Sequence, residues 1–77
     1  MTQHEWKLRF RDKLLTVLKE RNMNQSQLAA ATGLSASRIS DYINMKATPT
    51  IYAIVNISYA LDIPAQELTD FNERIRG

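Results

Sequence analysis

Apart from its last residue, the chain has a single glycine, Gly33, and it stands between two short stretches of helical character. Glycine takes left-handed backbone without steric cost, and a left-handed residue ends a helix sharply. Upstream, Asn24 is placed to cap a helix, with Gln27 three positions on as its reciprocal partner. Downstream, Ser35 can cap a further helix, and Asn44, which tolerates the left-handed region, can close it. The spacing predicts helices over about 25–32 and 36–43, joined through Gly33 by a tight turn. Ala29 leaves room for the later helix to cross close by. Leu28, Leu34, Ile39 and Tyr42 are spaced to hold both on one core.

The rest of the chain also reads as helical, because apolar residues recur at helical spacing and do not alternate. Trp6, Phe10, Leu14, Val17 and Leu18 form one stripe, predicting a first helix over about 6–21; Leu8 and Leu15 fall outside it. Thr48-Pro49-Thr50 punctuates the chain, and proline suits the start of a helix. A fourth helix is predicted over 51–61, with Ile51, Ile54, Ser58 and Leu61 along its core face. Asp62-Ile63-Pro64 breaks it, and a fifth, about 64–75, carries Leu68, Phe71 and Ile75. The expectation is one compact all-α domain of five helices over residues 1–77, with no linker or repeat.

Composition narrows the chemistry. A domain of 77 residues buries roughly 60% of its unfolded surface and needs a dense core, a partner, or both. There is no cysteine, which excludes disulfides and thiolate metal sites. The only histidine, His4, has no nucleophile or carboxylate arrangement around it, so neither a metal site nor a catalytic one is expected. No glycine-rich phosphate loop is present. An enzyme is not expected, and no cofactor. No apolar run approaches the ~20 residues of a membrane span, and Met1 to Phe10 is too charged for a signal peptide; a cytoplasmic protein is expected. Net charge is only +2, with the basic residues gathered before residue 22 and acid at the far end, which alone does not indicate nucleic acid.

Two helices joined by a tight turn let the second one protrude. A protruding helix fits the major groove of DNA, where each base pair displays a distinct donor and acceptor pattern. At this point the residues matter as a set: Asn24-Gln25 with Leu28-Ala29, then Gly33-Leu34-Ser35, then Ser37-Arg38-Ile39-Ser40, then Asn44, Lys46, Pro49 and Ile51, and finally Ala60-Leu61 with Glu67-Leu68. In that order and spacing they resemble the lambda-repressor and Cro-like helix-turn-helix family, over about residues 14–68. The resemblance implies five helices, binding of a double-stranded DNA operator in the major groove, and a bacterial or phage-encoded regulator of repressor type.

The resemblance also assigns roles. Ala36, Ser37, Arg38 and Asp41 match base-facing positions. Arg38 can bind a guanine bidentately, Ser37 can donate or accept, and Ala36 can pack on a thymine methyl. Gln25 matches a phosphate contact at the start of a helix, and Asn24, Ser35, Asn44 and Lys46 match other backbone-contacting positions. Each also has a plainer reading, as a capping residue or an ordinary exposed polar side chain. Asp41 departs from the basic surface expected against DNA; it can accept from a cytosine amine or pair with Arg38. Met45 and Asp62 stand where many relatives have glycine. Leu18 and Ile43 replace an ion pair common in the family, and are expected to pack together.

Tyr52, Val55 and Tyr59 lie beside the core stripe of the fourth helix. They either cover the fifth helix or, with Phe71, Ile75 and Leu15, form a self-association surface, which would make the chain a homodimer. The alternatives to an operator binder are a protein-interaction module or antitoxin-like protein on the same scaffold, and a structural assembly domain.

Overall fold

The computed structural model describes residues 2–69. Among them are five helices and no strand: α1 (Gln3–Glu20), α2 (Gln25–Thr32), α3 (Ala36–Ile43), α4 (Ile51–Leu61) and α5 (Gln66–Thr69). Four of these begin with the same device, a short polar side chain accepting the backbone N–H three residues on. Thr2 accepts from Glu5 at 3.1 Å, Asn24 from Gln27 at 2.8 Å, Ser35 from Arg38 at 3.1 Å and Thr50 from Ala53 at 3.0 Å. At α2 the box is complete, since the Gln27 side chain accepts the Asn24 N–H at 2.8 Å.

Helix ends are equally local. Gly33 is left-handed (φ 75°) and its N–H reaches the Ala29 carbonyl. The Thr32 hydroxyl then braces the turn, donating to the Leu28 carbonyl at 2.9 Å and accepting the Leu34 N–H at 3.2 Å. α1, α3 and α4 close around left-handed residues that are not glycine: Asn22 (φ 54°), Met45 (φ 61°) and Asp62 (φ 55°). In each case the next N–H returns five residues, from Met23 to Leu18, Lys46 to Asp41 and Ile63 to Ser58. That bond satisfies a carbonyl the helix leaves open.

α1 packs on α3 and α5, and α2 on α3 and α4. Phe10, Leu14, Leu28, Ile39, Ile57, Leu61 and Leu68 are fully buried in the core they share. Trp6 stacks on Phe10 with ring centroids 5.6 Å apart, and Lys13 reaches Glu67 on α5 at 3.9 Å. Leu18 and Ile43, expected to pack together, are both buried in this core.

The structure corrects four expectations. α1 starts at Gln3, not near Trp6, because Thr2 caps a polar first turn that has no apolar signal. The described part of α5 starts at Gln66, not at Pro64; its expected end, with Phe71 and Ile75 on it, lies outside the described residues. The left-handed residue after α3 is Met45; Asn44 keeps φ −87°. Ile51, expected on the core face, is 81% exposed; Ala53 and Ile57 are buried in its place.

Candidate nucleic-acid interface

α3 is anchored on one side only. Ile39, Tyr42 and Ile43 enter the core, while Ala36, Ser37 and Arg38, its first turn, are exposed. The Ser35 cap uses the main-chain N–H of Arg38, which leaves the guanidinium uncommitted to the cap. Asp41 follows one turn later and is half-buried. No ion pair joins it to Arg38 among the described residues, so the pairing considered from sequence is not made.

A groove of about 350 Å³ runs beside this turn. Ser35, Ser37, Arg38, Asp41 and Tyr42 line one wall, and Ala47, Thr48 and Thr50 the other. From sequence, Thr48 and Thr50 read only as punctuation before α4. The two threonines come to the groove through the path of the loop after Met45, which nothing local in the sequence encodes. Tyr42, taken only as a core residue, also reaches it.

The remaining candidates sit at two other places. Asn24 and Gln25, both exposed, occupy the start of α2. Asn24 spends its side-chain oxygen on the capping box, while Gln25 at the first helical position faces solvent. Asn44 and Lys46 follow α3 and are exposed; the Asn44 amide donates to the Ser40 hydroxyl at 3.0 Å. The structure thus gathers Ser35, Ser37, Arg38 and Asp41 around one groove, and leaves Ala36 exposed on the same turn. It places the remaining polar candidates at the start of α2 and the end of α3. Among the described residues no cluster of His, Cys, Asp or Glu could hold a metal ion, and no helix is long and apolar enough to cross a membrane.

Two short helices packed on each other through a tight turn at Gly33, the second with its first turn exposed, are the arrangement of the helix-turn-helix class of DNA-binding domains. The family model described as Helix-turn-helix matches residues 14–68, from the middle of α1 to the buried Leu68 of α5. The chain belongs to this family, the Cro/C1-type helix-turn-helix proteins, which are DNA-binding transcription regulators. No curated protein and no solved structure matches the chain significantly.

Proposed function

We propose that the chain binds a specific site on double-stranded DNA as a homodimer and regulates transcription there, as a repressor-type operator binder. The observation that carries this reading is the exposed Ala36-Ser37-Arg38 turn on a helix whose opposite side is locked in the core. A rigid helix presenting a guanidinium, a hydroxyl and a methyl from one turn suits the edges of successive base pairs in the major groove. In this reading Ala36, Ser37, Arg38 and Asp41 read bases, and Asn24, Gln25, Ser35, Asn44 and Lys46 hold phosphates. The role is binding, not catalysis, and its setting is the cytoplasm of a bacterium or of a phage-infected cell.

The homodimer reading is supported by α4, where Tyr52, Val55 and Tyr59 are 72%, 52% and 88% exposed. At those exposures they leave much of their surface open beside the described part of α5 (Gln66–Thr69), which supports an outside partner for this face. Phe71 and Ile75 belong to the proposed surface by sequence alone.

Selection from a random pool of short duplexes tests the proposal. Enrichment of a two-fold symmetric motif is expected, with half-sites about one DNA turn apart. A second reading, a protein-interaction module on the same scaffold, is favoured by the carboxylate of Asp41 inside the groove, where it opposes phosphate. No enrichment at low salt, with folded protein verified, would select that reading.

A further inference from the structure

α4 carries no charged residue in its 11 positions, yet it exposes more large apolar surface than any other helix described. Ile51, Val55 and Tyr59 are spaced four apart and are 81%, 52% and 88% exposed, so they form one continuous ridge along the helix. The ridge is balanced about Val55, with Ile51 four residues before it and Tyr59 four residues after. A two-fold axis at Val55 therefore carries Tyr59 of one copy to Ile51 of the other. Ile51 stands on the rim of a largely apolar hollow of about 270 Å³, which Trp6, Pro49 and Ile54 line with it. An apolar cavity of about 150 Å³ already takes a benzene ring.

The helix ends match in charge. The N-terminus of a helix carries partial positive charge and its C-terminus partial negative charge. Asp62 caps the C-terminus of α4 and adds a carboxylate where its own helix disfavours one. Antiparallel pairing sets that carboxylate beside the positive end of the other α4. A basic or acidic partner would find no charge along the ridge to pair with, whereas a second copy brings none to bury.

We infer that the α4 face is the contact between two copies of this chain, paired antiparallel about Val55, with Tyr59 of each seated in the Trp6–Ile51 hollow of the other. This rests on the homodimer reading above, and gives it a geometry.

The chain is free of cysteine and has a single tryptophan, which makes the test clean. Val55→Cys and, as a control on exposed α1 surface, Glu20→Cys are oxidised in the full chain, after circular dichroism verifies their fold. Sedimentation equilibrium and Trp6 emission are followed over dilution of the unmodified protein. A cysteine on the axis meets its own copy at disulfide distance. At ~10 μM protein, Val55→Cys should therefore cross-link about 100-fold faster than the control, the ratio of a millimolar effective concentration to the bulk one. Trp6 emission should shift to the red as dimer gives way to monomer. A dimer by sedimentation in which Val55→Cys links no faster than Glu20→Cys overturns pairing through α4 and leaves the homodimer standing. Fast linkage with unchanged Trp6 emission overturns the seating of Tyr59. A monomer at the highest concentration removes the homodimer reading and this inference together.

Discussion

Replacing Gly33 by alanine isolates what the turn between α2 and α3 demands of the backbone. Gly33 has φ 75°, and a methyl group built there meets no atom within 4 Å beyond its own neighbours in the chain. The cost therefore includes no clash with the rest of the fold, only the strain of Cβ against its own backbone. A left-handed L-residue costs ~1–2 kcal/mol, and an alanine recovers ~0.4–1 kcal/mol by restricting the unfolded chain. Gly33→Ala should lose about 1 kcal/mol net, which for a domain of this size is a fall of about 4–8 °C in Tm. Gly33→Asn should lose less, since asparagine tolerates this region. Urea unfolding followed at 222 nm, at one fixed protein concentration, measures both. A loss beyond ~3 kcal/mol would mean the added Cβ meets something and would refute the open-space argument. No loss at all would mean the turn does not hold its left-handed residue. DNA binding of the folded fraction should be unchanged, because the helices keep their crossing.

Arg38→Ala should relax preference at one base pair, costing ~1–3 kcal/mol on the preferred sequence and little on others, as read by competition binding with single-position variants. Equal loss on every sequence would reassign Arg38 to the phosphates. Gln25→Ala should weaken all sequences alike, and a changed preference in the same assay would count against a phosphate role. Asn24→Ala removes the α2 cap and should cost ~1 kcal/mol in urea unfolding. A loss within a few tenths would show that the capping box contributes little to folding.

The middle of the fold was legible because its signals are local. Asn24 with Gln27, Gly33 and Ser35 each act within four residues, and α2, α3 and α4 begin and end where those signals and the Thr48-Pro49-Thr50 punctuation place them. Thr2 works by the same rule, but the polar turn it caps, Gln3-His4-Glu5, shows no apolar periodicity to mark it as helix. The spacing of Ile51 to Ile54 points it inward, but it falls at the edge of the stripe, in the first turn, and is 81% exposed. Asparagine's tolerance of left-handed backbone points to Asn44, yet the left-handed residue is Met45 next to it, where many relatives have glycine. Of the groove, the α3 wall could be read from the motif. The Thr48 and Thr50 wall could not, since it depends on how the loop returns from Met45 to α4.

The cap at Ser35 has a bearing on how proteins of this shape diversify. It grips the main-chain N–H of Arg38 and asks nothing of the side chains at 36, 37 and 38, while Ile39, Tyr42 and Ile43 secure the helix from behind. The three exposed positions can therefore change identity freely as long as they keep helical backbone. Mutation can change the chemistry of this exposed turn at little risk to folding. Lineages built on this scaffold can part in the surface of this turn well before they part in shape.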